Sequence, residues 1–256
     1  LKYNTTADNN TAVGYKALQV NTTGTQNVAV GAYALDANTT ADVNTAVGYA
    51  AMTANTTGTS NVAVGNAALQ ASSTGSYNTS IGHASLYANT TASNNTAVGY
   101  YSMVANTTGY DNTAVGYLTL DANTTGINNV ALGAYALSAN TTAHNNVAIG
   151  RSALGATVDG TENVAVGYLA ADASTSTNAL TAIGYQALSA ATGVSNTAVG
   201  KDAGLTVTSG TNNLCLGVDA GIASSPGGAI TTESNNICLG DENITNAYIQ
   251  VDWTVT

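Results

Sequence analysis

One interval governs this chain. The motif N-[TV]-A-[VIL]-G, with a few departures, closes on Gly14 and then on Gly31, Gly48, Gly65, Gly82, Gly99, Gly116, Gly133, Gly150, Gly167 and Gly184, at every seventeenth position. It returns early at Gly200, on schedule at Gly217 and late at Gly240. Between these glycines stands a second block, as in Tyr15-Lys16-Ala17-Leu18 followed by Asn21-Thr22-Thr23-Gly24. A fixed period of this kind means stacked units, each burying its apolar side against the next. Leucine-rich repeats, which fit a strand and a helix with two connections, need at least about 20 residues. The shorter unit here suffices for two short strands and two turns. The first strand carries residues such as Thr11 and Val13, two apart, and ends at Gly14. The second is expected to carry Leu18, with Asn21 to Gly24 as a turn. The chain therefore reads as all-β, a β-solenoid (β-roll) of about fourteen 17-residue coils, each adding about 4.8 Å to a rod of roughly 65 Å.

The repeat sets the domain boundaries. Residues 1–240 form the solenoid, with an irregular loop at 218–234 that contains Ser224-Ser225-Pro226-Gly227-Gly228. Residues 241–256 are a C-terminal strand and transition segment, because Ile249, Val251, Trp253 and Val255 alternate with Gln250, Asp252, Thr254 and Thr256, the pattern of a half-buried strand.

Two apolar columns run through the motif. Before each glycine stands Val13, Val30, Val47, Val64, Ile81, Val98, Val115, Leu132, Ile149, Val166, Ile183, Val199, Leu216 or Leu239. One residue earlier is Ala in eleven coils, Ser80 in one, and Cys215 and Cys238 in the last two. Successive strand residues point to opposite faces, so both faces of the strand are apolar. A monomeric solenoid in water needs one buried face; the second requires another surface to cover it. The simplest assignment puts Ala inside and Val/Ile/Leu between chains. The pattern alone also allows the reverse, and in either case the chain is expected to be a homo-oligomer.

Composition narrows the partners. Four basic residues, Lys2, Lys16, Arg151 and Lys201, face fourteen acidic ones for a net charge of −10. Nucleic acid is excluded as a partner on this reading, since phosphate neutralisation needs clustered Lys and Arg. The apolar runs are only a few residues long, so no membrane insertion is expected. Only 7% of residues are charged, and alanine, asparagine, threonine and glycine dominate, which suits a narrow core of small side chains.

The coils resemble the head repeats of trimeric autotransporter adhesins, whose motif also ends in a small residue, a β-branched residue and glycine. The N-T-A-V-G-Y-x-A-L-x-A-N-T-T-G runs are similar to phage tail-fibre proteins, and this likeness covers about residues 4 to 240. Ala247 to Thr256 resembles the stretch upstream of the self-cleaving intramolecular chaperone of many phage tail spikes and fibres; that chaperone is absent from this sequence. The resemblance implies a parallel homotrimer in a virion tail fibre, serving as a structural and host-attachment segment. Its external partner would be a host cell-surface glycan or outer-membrane component. The head of a bacterial surface adhesin and an ice-binding solenoid are the alternatives, the latter suggested by Thr22-Thr23 and Thr56-Thr57.

Chemistry-bearing residues are sparse. His83 and His144 occupy different repeat positions, each without a nearby second histidine or a cysteine, and read as variable surface residues. No carboxylate pair, nucleophile elbow or phosphate loop emerges, so no catalytic, metal or cofactor residues are assigned and a non-enzymatic protein is expected. Tyr15, Tyr49, Tyr100, Tyr117, Tyr168 and Tyr185 follow the motif glycine and could stack on sugars, although Ala32, Asn66 and Ala134 at the same place also allow a plain turn cover. The Asn column from Asn10 to Asn236, broken by Leu180, reads as an amide ladder. Eight N-T-T triplets match the glycosylation sequon, but their fixed repeat position favours a turn role. Cys215 and Cys238 share a column and are expected as small buried thiols, with an intercoil or interchain disulfide as the alternative.

Overall fold

The computed structural model describes residues 2–225 and 227–246. The expected strand within Ala247 to Thr256 lies outside the described residues. Among those described are fourteen strands of three residues, one per coil, from β1 (Thr11–Val13) and β2 (Val28–Val30) to β13 (Leu214–Leu216) and β14 (Ile237–Leu239). All pair in parallel within one sheet whose spatial order is the chain order. Registry never slips: Ala12 pairs with Ala29, Ala29 with Ala46, and Cys215 with Cys238. The short interval before Gly200 and the long one before Gly240 are absorbed in the turns. The protein is a β-solenoid with the repeat that the sequence predicts.

The middle residue of nearly every strand points inward and is fully buried, including Ala29, Ala46, Ala63 and Cys215. Opposite it lies a column of larger side chains, Leu18, Leu35, Met52, Leu69, Leu86, Met103 and their successors, also fully buried. Small residues on one wall and long ones on the other fill a narrow interior. Where hydroxyls enter the Ala columns they find partners: the Ser80 and Ser85 hydroxyls lie 2.6 Å apart, Ser80 also donates to the Ser85 carbonyl at 2.9 Å, and Ser102 and Thr119 donate to the Ala114 and Gly133 carbonyls at 3.1 and 2.7 Å.

The half of the coil expected to be a second strand is not one. Lys16 and Leu18 have φ of 58° and 50°, and their counterparts repeat this along the rod. The chain curls through alternate left-handed residues, costing about 1–2 kcal/mol each for a side chain other than glycine. The cost is offset because these residues supply both the buried leucine and the hydrogen bonds between coils. Leu18 N–H donates to the Ala34 carbonyl at 2.9 Å, and Tyr33 N–H donates back to the Tyr15 carbonyl at 2.8 Å. The motif glycines are required where successive coils stack. Gly48 has φ +140°, and a Cβ there would meet the Gly65 carbonyl oxygen, far inside contact distance.

The long interval before β14 makes one excursion. Ile230 N–H donates to the Gly221 carbonyl at 2.9 Å and closes it, while Thr208 N–H, bonded to the Thr231 carbonyl at 2.7 Å, restores the ladder.

Candidate functional site

Two exposed features run the length of the rod. The first is the outer face of the sheet. With the central residue inward, the two flanking residues of each strand point outward, so Thr11 and Val13, Val28 and Val30, and their successors form two parallel columns. None of the fourteen Val, Ile or Leu residues assigned to the oligomer or core column is buried: Val13, Val64, Ile81, Val115, Ile149, Ile183, Val199 and Leu239 are exposed, and Val30, Val47, Val98, Leu132, Val166 and Leu216 are half-buried. This resolves the alternative left open by the sequence, with Ala on the inside and Val/Ile/Leu on the outside. Coils about 4.8 Å apart and columns two residues apart make the face about 60 Å long and roughly 400 Å² in extent.

The second feature follows immediately, at the corner after the motif glycine. Tyr15, Tyr49, Tyr100, Tyr117, Tyr168 and Tyr185 are all exposed there. They do not stand alone. Tyr33, one position later in its own coil, packs edge-on between Tyr15 and Tyr49, with ring centres 5.4 and 5.9 Å away. His83 stacks on Tyr100 at 5.3 Å and Tyr100 on Tyr117 at 5.5 Å; Tyr101 lies 4.3 Å from Tyr100, and Tyr135 lies 5.4 Å from Tyr117. Tyr168 stacks on Tyr185 at 5.4 Å beneath the Arg151 guanidinium at 5.9 Å. The Tyr101 phenol, above all through its side-chain hydrogen bond, raises the Tyr100 phenol above its ordinary value.

His83 shares the column of Tyr100 but was read as a lone surface residue, and reading single columns missed Tyr33, Tyr101 and Tyr135 as members of the stripe. The signal of these three tyrosines was an alternation of spacing, as in one position longer than the period from Tyr15 to Tyr33 and one shorter from Tyr33 to Tyr49.

The remaining candidates have structural places. The His144 imidazole Nδ1 accepts the Ile127 N–H at 3.0 Å, holding a turn between coils. Seven of the eight N-T-T asparagines, Asn21, Asn38, Asn55, Asn89, Asn106, Asn123 and Asn140, are fully buried, so glycan attachment to them is incompatible with the folded coil; Asn4, in the first triplet, is exposed. Cys215 and Cys238 sit side by side in register as buried free thiols. Burial, reinforced by Cys238, pushes the Cys215 thiol up to about 11. Among the described residues, no three or more His, Cys, Asp or Glu side chains gather in a way that could hold a metal ion. No helix among them is long and apolar enough to cross a membrane. No protein-family model matches the chain, and no curated protein matches it.

Proposed function

We propose that this chain is a non-enzymatic structural and host-attachment segment of a phage tail fibre, in which three parallel copies pack along their outer sheet faces on the virion. The observation that carries this reading is the outward Val/Ile/Leu column, which continues without a break over all fourteen strands. The outer face's area of roughly 400 Å² is within the range of about 300–600 Å² for a monomer's largest patch; its straight run of about 60 Å is what fits a partner rod. The face repeats the same outward columns, one Thr, Val, Leu or Ile and the other Val, Ile or Leu, over fourteen strands, so that parallel copies in register can meet along their whole length. Three copies would bury it while leaving turn residues outward, and repetition around the axis would present weak receptor contacts together and gain avidity. The same arrangement serves the head of a bacterial surface adhesin; what the gene encodes after Thr256, a chaperone or a stalk with an anchor, separates the two.

An ice-binding role draws less support. Thr22, Thr56 and Thr107 donate their hydroxyls to the Thr39, Ser73 and Thr124 carbonyls at 3.0 Å each, which commits that column to the turn. The neighbouring Thr23, Thr40 and Thr57 are exposed in single file, without the second row a flat threonine array needs.

Light scattering coupled to size-exclusion chromatography tests the proposal. The expected mass is three times 25.3 kDa, and Val98→Lys together with Val115→Lys should lower it to that of one chain. A wild-type protein that stays at 25.3 kDa across the micromolar range overturns it.

A further inference from the structure

The aromatic stripe is interrupted by one built recess. In the column two residues after the motif glycine, Tyr33 is followed by Ala50, Ala67 and Ala84, and then by Tyr101. The three alanines sink a trough between the tyrosines. At its Tyr101 end lies a cavity of about 440 Å³ lined by Ala67, His83, Ala84, Tyr87, Tyr101 and Val104. This lies within the roughly 300–1,000 Å³ range of small-molecule sites.

Two of its walls are departures that the fold does not need. Tyr87 stands where other coils carry Gln19, Asp36, Thr53 or Gln70, and His83 where they carry Tyr, Ala, Asn or Arg. Those coils close without them, so neither ring is required for stacking. Both are exposed, yet they converge on the same recess. His83 is also held in place, stacked on Tyr100 at 5.3 Å and edge-on to Tyr101 at 5.4 Å.

We infer that this recess is a binding site for a neutral pyranose of a surface glycan. The inference deepens the attachment reading above and rests on it. A pyranose ring offers an apolar C–H face and a rim of hydroxyls. The recess offers the complement, alanines together with aromatic walls that carry polar groups of their own, the Tyr87 and Tyr101 hydroxyls and the His83 ring nitrogens. Charge selects the class of sugar. No Lys or Arg lines the recess, and the chain carries a net charge of −10, so an anionic sugar would meet repulsion without a counter-ion.

The test uses the full chain with methyl β-D-glucopyranoside, methyl β-D-galactopyranoside, methyl α-D-mannopyranoside and lactose as probes, read by saturation-transfer NMR, with sialyllactose for comparison. At least one neutral probe should receive saturation, with sialyllactose weaker. Ala84→Tyr fills the recess on a backbone that already holds Tyr101 at nearly the same φ, 50° against 52°. It should reduce the transfer at least tenfold, and His83→Ala should weaken it severalfold. Thr125→Ala, an exposed change outside the aromatic stripe, should leave it unchanged.

Four results would overturn the inference: silence from every neutral probe, preference for sialyllactose, loss with Thr125→Ala in place of Ala84→Tyr, or a change of oligomer mass with Ala84→Tyr, which would make the recess a contact between copies. Light scattering on the same samples separates this failure from that of the fibre reading. A trimer that binds no sugar removes only the site, whereas a monomer removes the fibre.

Discussion

Two asparagine columns run through the rod about a turn apart, and they are held to different standards. In the column from Asn10 to Asn236, each side-chain oxygen takes the main-chain N–H of the next coil, as Asn10 does from Asn27 at 2.9 Å and Asn213 from Asn236 at 3.0 Å. Each side-chain NH₂ donates to a turn carbonyl, as Asn27 does to Ala41 at 2.8 Å. In the column from Asn21, the amides pair mainly with one another and with the same carbonyls: Asn38 donates to Asn21 at 2.9 Å and to Ala41 at 3.1 Å. The first column admits one foreign residue, Leu180, while the second admits Ser72, Thr157, Ser174, Ala191, Val207 and Ile230. The difference lies in what is orphaned. Losing a first-column side chain strands a buried backbone donor, whereas a second-column loss mainly strands another side chain, which a hydroxyl can partly replace. Thr157 and Ser174 make that replacement, donating to the Ser174 and Ala191 carbonyls at 2.9 Å each.

The comparison breaks most visibly in the first column. Asn112→Ala would leave the Asn129 N–H without its acceptor at 3.0 Å, while the Gly126 carbonyl would lose one of its two side-chain donors and keep Asn123 at 3.1 Å. With roughly 1–3 kcal/mol per buried unsatisfied group, the expected loss is about 2 kcal/mol, read from the denaturant midpoint. Asn123→Ser, in the other column, removes the donor to Asn106 at 2.8 Å but leaves Asn140 its bond to the Ala143 carbonyl. It should cost about 1 kcal/mol. Equal losses from the two variants would show that the columns do the same work.

A natural gap allows the opposite experiment. Ser72 is too short to reach its neighbour, and both its hydroxyl and the Asn55 side-chain oxygen are buried without partners. Ser72→Asn should restore the ladder and raise stability by about 1 kcal/mol, seen as a higher melting temperature. A neutral or destabilising result would mean that the gap is too tight at Gly75 to take the amide.

The sequence disclosed what repeats in every coil. Parallel registry and the first amide ladder were legible, because stacking turns each sequence column into a spatial one, whereas the inward place of the Ala column was one of two assignments the pattern allowed. What it hid depends on backbone conformation or on contacts between columns. Leu18 and Met52 give no hint that they sit at left-handed φ; their hydrogen bonds to neighbouring coils hold them there, and those bonds are invisible in a single repeat. Reading that half of the coil as a strand followed residue propensity where stacking overrides it. The aromatic stripe was half-read for a related reason, since Tyr33 and Tyr101 belong to a different column from the tyrosines they touch.

The smallest expected effect concerns a third polar column, on the outside, and sharpens the contrast between groups that have partners and groups that do not. Asp36, Asp121 and Asp172 share one repeat position, and burial raises the pKa of each above its ordinary value, opposed at Asp36 by Lys16. Asp121 also keeps one carboxylate oxygen buried without a partner. A carboxyl whose folded pKa is raised binds its proton more tightly in the folded state. Its contribution to stability is therefore complete below the ordinary aspartate value of 3.8 and is lost as pH rises through the raised one. The melting temperature should climb as pH falls from 7 toward 4. At lower pH this trend is opposed by Glu233 and Asp241, whose carboxylates are stabilised by hydrogen bonds from Thr231 and Asn243. Asp121→Asn should raise stability at pH 7 by less than about 1 kcal/mol and flatten the slope. Asp36→Asn and Asp172→Asn should add to the flattening, because the three lie coils apart and share no partner. A slope untouched by all three changes would assign the pH response to relief of the overall negative charge instead.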